Sequence, residues 1–164
     1  MTQKHYITPQ GANKLRQELN HLWKVVRPEV TRKVSAAAAL GDRSENADYI
    51  YGKKQLREID SRVRYLRKRL EDIEVVTALP DNRERVYFGA FVKLEDENGE
   101  ISTLRIVGAD EYDPKKNWIS LHSPVAKSLL GKNLGDSVLL NRPIGAIEAC
   151  IIDIEYRTLE GNED

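Results

Sequence analysis

The chain has 164 residues, enough for one ordinary domain or two small ones. Charged residues make up 32% and aromatics 7%, which points away from a membrane protein and towards much solvated helix; no apolar run nears the roughly 20 residues that span a bilayer, and Met1 to Tyr6 lacks the apolar stretch of a signal peptide, so a cytoplasmic location is expected. The formal net charge of zero hides an asymmetry, because residues 1–77 carry 16 Lys and Arg against 10 Asp and Glu while residues 78–164 carry 10 against 16; a basic half suits a polyanionic neighbour or plain solvated helix faces.

Thr8-Pro9 reads as an N-cap followed by proline in the first turn, where its missing amide hydrogen costs nothing, so a helix is predicted to start there. Leu15, Leu19, Leu22, Val26, Val30, Val34 and Ala37 then recur at steps of three and four. Pro28 interrupts this seam, but the pattern resumes at once, which predicts a kink rather than a stop, with a break near Arg27 as the alternative. Leu56, Ile59, Val63, Leu66, Leu70 and Ile73 form a second, cleaner seam with charged residues between them. Two seams joined by a short link, Leu40 to Arg43, predict an antiparallel coiled-coil hairpin over residues 1–77. Arms of roughly 30 residues at about 1.5 Å each would make a rod of about 45 Å with the link at its far end.

After Pro80 the pattern changes to short strands. Val86 to Leu94, the Asn98-Gly99 turn and Ile101 to Val107 predict a β-hairpin. Trp118 to Leu121 reads as a third strand, Ser123-Pro124 opens a short helix to Leu130, and Ser137 to Leu140 and Ala146 to Tyr156 supply further strands. The fold class expected is α+β, with a hairpin over 1–77 and a small α+β domain over 78–164.

The link carries the most informative chemistry. Asp42 and Glu45 lie three apart and share a face if the turn is helical, so that their carboxylates can converge on one cation. Mg²⁺ favours such oxygen ligands, but two carboxylates make a weak site that needs ligands from a partner. The same Asp-x-x-Glu spacing fits a capping box at the start of the second helix, and the two readings are not exclusive. Behind the link, Lys53, Lys54, Arg57, Arg62, Arg64, Arg67, Lys68 and Arg69 outnumber the acids of that helix. They suit a phosphate backbone, with Tyr49 and Tyr51 in place to stack on bases, or else simply form a solvated face with Tyr49 in the seam. Gly131-Lys132 lacks the glycine spacing of a phosphate loop, and His5, His21 and His122 have no ligand-like spacing. The single cysteine, Cys150, reads as a small buried side chain, and no nucleophile has a base near it in sequence.

The segment Leu40-Gly41-Asp42-Arg43-Ser44-Glu45-Asn46-Ala47-Asp48-Tyr49 resembles the tip of the Gre family of bacterial transcript-cleavage factors. The resemblance continues through Lys53 to Asp60 and Arg62 to Leu66, and Arg27 to Thr31 looks like the B type rather than the A type. In the second half Phe88-Gly89-Ala90, Arg105-Ile106-Val107-Gly108, Ser123-Pro124, Gly135-Asp136 and Ile154-Glu155-Tyr156 fall in the family's order. What the resemblance implies is a transcription elongation factor that binds RNA polymerase. A domain similar in fold to FK506-binding proteins, but without isomerase function, would dock at the rim of the secondary channel through Ser123 and Pro124 while the hairpin enters the channel.

The resemblance further implies that Asp42 and Glu45 are the catalytic pair, helping to bind a Mg²⁺ shared with the polymerase active site and positioning the attacking water. Ser44 and Asn46 would support the tip, and Lys53, Lys54 and Arg57 would grip the extruded 3′ end of the nascent RNA. Such a factor is not itself an enzyme; it stimulates the nuclease of polymerase, holds no cofactor tightly when free, and is expected to be a monomer without a membrane partner. His122 departs from the pattern, since an acidic residue is expected there in the docking loop. Two alternatives stand beside this reading: a binding-only channel regulator, disfavoured by the intact Asp42 and Glu45, and a nucleic-acid-binding coiled coil unrelated to polymerase.

Overall fold

The computed structural model describes residues 5–41 and 43–157. It is α+β and divides into two compact units, Ala12–Ile73 and the described parts of Met1–Gly11 with Glu74–Asp164. The chain therefore crosses between units twice, at Gly11/Ala12 and Ile73/Glu74, whereas its composition shifts at Thr77/Ala78.

In the first unit, α1 (Pro9–His21), a π-helical turn (Leu22–Val26) and α2 (Arg27–Ala39) follow without a break, and His21, Val26 and Arg27 all keep right-handed helical dihedrals. Pro28 accounts for the π turn. In a regular α-helix its ring would collide with the carbonyl of Lys24, four residues back. Widening the preceding turn lets the Arg27 N–H bond instead to the Leu22 carbonyl, five residues back. The wider turn also absorbs the surplus of consecutive steps of four, each of which overshoots an α-helical turn by about 40°. Leu22, Val26, Val30 and Val34 consequently stay in the seam.

The second arm, α3 (Ala47–Asp72), runs antiparallel to α2. Val30, Ile59 and Val63 are buried together, with Leu19, Leu22, Val26, Val34 and Leu56 packed around them. Arg27 Nε donates to Asp60 Oδ1 at 2.8 Å, and Arg62 reaches Glu18 with two bonds of 3.1 and 2.9 Å. These pairs are largely solvent-exposed, so they contribute little and the seam carries the stability. Gly52 marks a close approach of the arms: a Cβ there would lie 2.6 Å from Val34 Cγ2.

In the second unit, β1 (His5–Ile7) pairs with β2 (Ile73–Val75). The main sheet has strand order β5-β4-β3-β7-β6, formed by β3 (Phe91–Asp96), β4 (Ile101–Val107), β5 (Trp118–Ser120), β6 (Ser137–Arg142) and β7 (Gly145–Glu155). All neighbours are antiparallel except β4 and β5. The first strand of the expected hairpin begins at Phe91 rather than Val86, because Ala90 N–H bonds back to the Tyr87 carbonyl and Gly89 has a φ of 87°, which turns the chain. Helix α4 (Pro124–Leu129) buries Ala126 and Leu129 in the core with Val92, Leu94, Leu104, Ile106 and Ile151.

Strand β4 is covered on both faces. Leu104 and Ile106 enter the core, while Arg105 on the opposite face is only 1% exposed. Rings on the flanking strands make this possible. Phe91 and Trp118 are the register partners of Arg105 on β3 and β5, and its guanidinium lies 4.6 and 4.8 Å from their ring centres. Arg157 stands 4.1 Å from Phe91 and Lys116 4.7 Å from Trp118, which completes a ladder of alternating cations and rings.

Candidate functional site

The segment between α2 and α3 runs over residues 40–46, longer than the four-residue link expected from Leu40 to Arg43. Leu40 closes α2 with its N–H on the Ala37 carbonyl, and Gly41 follows with a φ of 144°, a conformation in the region that favours glycine. Residues 43–45 form a turn, and α3 starts at Ala47 with Asn46 as its N-cap. The capping box read across Asp42 and Glu45 is therefore not how α3 begins; the cap lies at Asn46, and Glu45 precedes it.

Asn46 makes two connections at once. Its Oδ1 accepts the Tyr49 N–H at 3.1 Å, satisfying an orphan donor of α3, and its Nδ2 donates to the Ala37 carbonyl at 2.7 Å, satisfying an orphan acceptor of α2. One side chain thus ties the two helix ends together across the turn. Glu45 is exposed in that turn, and no described residue pairs with its carboxylate. Ser44 is likewise exposed. Asp42 lies outside the described residues. Among the described residues no group of three His, Cys, Asp or Glu side chains could hold a metal ion. Glu45 thus presents to solvent an oxygen donor of the kind Mg²⁺ favours.

Tyr49 is half-buried with the Arg43 guanidinium 5.6 Å from its ring centre, whereas Tyr51 is 69% exposed. Of the two stacking candidates, Tyr51 is the one with its ring open to solvent. Lys53, Lys54 and Arg57 are all exposed. Lys54 and Arg57 line an open groove on α3 with Glu58, Ser61, Arg62 and Tyr65. Arg62 and Arg69 flank the Tyr65 ring at 5.0 and 6.0 Å. Tyr65 was not singled out from the sequence, although steps of three and four from Lys54 and Arg57 through Ser61 lead to it.

In the other unit, Ser123 and Pro124 occupy the start of α4. Ser123 Oγ accepts the Ala126 N–H at 3.2 Å and Pro124 fills the first turn, so both have a structural duty there. His122 beside them is exposed. Tyr156, part of the sequence pattern noted above, accepts the Tyr87 N–H at 2.8 Å and donates to the Arg85 carbonyl; burial raises its pKa above the usual phenol value.

Two family descriptions match the chain: "Transcription elongation factor, N-terminal" over residues 5–75 and "Transcription elongation factor, GreA/GreB, C-term" over residues 80–156. Transcription elongation factor GreB of Pseudomonas aeruginosa is 60% identical over 150 residues, covering 92% of this chain and 89% of the relative. GreB of Haemophilus influenzae is 56% identical over 156 residues, covering 95% and 99%. Among solved structures, GreA factor homolog 1 of Thermus thermophilus overlaps with a TM-score of 0.43 at 24% identity, over 93% of this chain and 99% of that one. No helix among the described residues is long and apolar enough to cross a membrane.

Proposed function

The chain belongs to the GreA/GreB family of transcription elongation factors, and from that premise we propose that it stimulates RNA polymerase to cleave the 3′ end of backtracked nascent RNA. The observation that carries this reading is the pinned turn: Asn46 holds both helix ends while Glu45 faces solvent at the end of a two-helix arm. A carboxylate held in that way is a ligand waiting for the rest of a coordination shell.

In this reading the hairpin enters the polymerase secondary channel and Asp42 and Glu45 hold a Mg²⁺ that polymerase also ligates. Such an ion, when bound, lowers the pKa of a coordinated water and neutralises charge on the scissile phosphate. The chain's own work is to place and support. Asn46 and Ser44 hold the turn, and the acidic pair sets the ligand geometry and orients the attacking water. Lys53, Lys54 and Arg57 draw the extruded RNA along α3 by its phosphates, a grip that weakens with salt. The sheet domain, which we take to be similar in fold to FK506-binding proteins without their isomerase activity, docks at the channel rim through the Ser123-Pro124 loop. The protein acts in the cytoplasm as a single copy and uses the nuclease of polymerase, with no active site of its own.

The test is an RNA-cleavage assay on a backtracked elongation complex. Asp42→Asn and Glu45→Gln are each expected to lower stimulated cleavage by about 100-fold or more, the scale of several kcal/mol of metal-assisted catalysis, with polymerase binding unchanged. Full cleavage by both variants would remove the proposed role.

A further inference from the structure

Glu111 lies in the 3-10 turn Ala109–Glu111 that follows β4, and nothing in the tip mechanism uses it. Its Oε2 accepts the Thr8 N–H at 3.2 Å and the Gly108 N–H at 2.9 Å, and its Oε1 accepts from the Thr8 hydroxyl. Thr8 is 1% exposed, and its Oγ1 accepts the Gly11 N–H at 3.1 Å, the bond expected of the N-cap of α1. One carboxyl group thus serves two N-termini: directly its own turn, through Gly108, and by way of Thr8 the start of α1. A Cβ at Gly11 would overlap the Glu111 carboxyl group, so a larger residue there would displace that side chain. Both backbone donors meet Oε2, so they remain satisfied whether or not a proton sits on Oε1. Arg105 is the nearby cation whose charge bears on this group.

Helix α1 starts at this latch within the sheet-containing unit and continues into the helical unit as the first arm. We propose that Glu111 is a positioning residue for transcript cleavage: by holding Thr8 it fixes the first turn of the arm that ends in the acidic tip. The effect on cleavage rests on the function proposed above; the latch itself does not.

The test uses the full chain and two readouts. The first is amide hydrogen exchange over the first turn of α1. Glu111→Ala is expected to speed it about tenfold, the scale of a lost helix cap, while exchange along the α3 seam stays unchanged. Glu111→Gln keeps an acceptor for both N–H groups and can donate from its amide nitrogen to Thr8 Oγ1, reversing the bond that the Thr8 hydroxyl donates in the wild type, and Thr8→Ser keeps the capping oxygen; both are expected to hold exchange near the wild-type rate. The second readout is cleavage of a backtracked complex against factor concentration. Glu111→Ala should lower the maximal rate, with the half-saturating concentration unchanged and Glu111→Gln close to wild type. Unchanged exchange in Glu111→Ala overturns the latch. Faster exchange with an undiminished maximal rate, or a loss seen only as a raised half-saturating concentration, overturns the positioning role. Should the wild type itself stimulate no cleavage, the tip reading and the positioning role fall together, and the exchange data still decide the latch.

Discussion

Asn46 shows how much one side chain can do at a helical hairpin. Its two bonds are separable by substitution. Asn46→Asp keeps an oxygen for the Tyr49 N–H but replaces the donor to Ala37 with a carboxylate facing a carbonyl, whereas Asn46→Ala loses both. Loss of the cap alone costs about 1 kcal/mol. Thermal melting should therefore rank wild type above both variants, and Asn46→Ala is expected to release amide exchange at both helix ends; release at the α3 end alone would mean that the tie to α2 carries no weight. Two carboxyl groups elsewhere give opposite pH signatures. The hydrogen bond from Arg27 lowers the pKa of Asp60, so this contribution is present above the unfolded value near 3.9 and is lost as pH falls through the lower folded value. Burial raises the pKa of Glu111, with Thr8 and Gly108 opposing it, so stability falls as pH rises from the unfolded value near 4.3 through the raised folded one. Relative to wild type, Glu111→Gln should lack that fall in a pH series of chemical denaturations; identical pH profiles would contradict the assignment. Residues of this kind were the least legible in the sequence. Asp42 and Asn46 are both good N-caps by type, and the bond to the Ala37 carbonyl, a tertiary contact, distinguishes the observed one. The burial of Arg105 depends on the strand register that sets Phe91 and Trp118 on either side of it, a tertiary feature that the sequence does not display.

At the scale of elements, the seams were legible because burial imposes their period directly on the sequence: Ile59, Val63 and Leu66 fall where the three–four alternation puts them. The π turn was not, since the same letters allow a kink, a break or a widened turn at Pro28, and only the packing of Val26, Val30 and Val34 on one side selects the last. The short strands β1 and β2 carry too few residues for any period to show. Gly52 gives a direct test of arm packing. A methyl group 2.6 Å from the stiff, branched Val34 must push the arms apart. Gly52→Ala should therefore cost about 1–3 kcal/mol of overpacking, partly offset by up to about 1 kcal/mol of helix propensity. A melt followed by helical circular dichroism should show a lowered transition, and adding Val34→Ala should restore part of it. Simple stabilisation by Gly52→Ala would refute the close approach.

At the scale of the molecule, the chain has placed two kinds of stability in two units: a narrow seam between helices, and a closed core under a five-stranded sheet. The composition shift at Thr77/Ala78 signals this change but not its route, because His5 to Gly11 return to the sheet-containing unit through β1 and the Thr8 latch. On the proposed reading the helical unit presents the turn and the basic face of α3, and the family match covers both halves of the chain. The central claim is that the turn lends metal ligands to polymerase. The most direct measurement is the Mg²⁺ dependence of cleavage in a backtracked complex with no factor, with wild type and with Glu45→Gln. The account predicts that wild type lowers the Mg²⁺ concentration for half-maximal cleavage by about tenfold or more, as added carboxylate ligands should, and that Glu45→Gln loses most of this shift. Undiminished stimulation by wild type and Glu45→Gln alike, with the same Mg²⁺ requirement as polymerase alone, would contradict it.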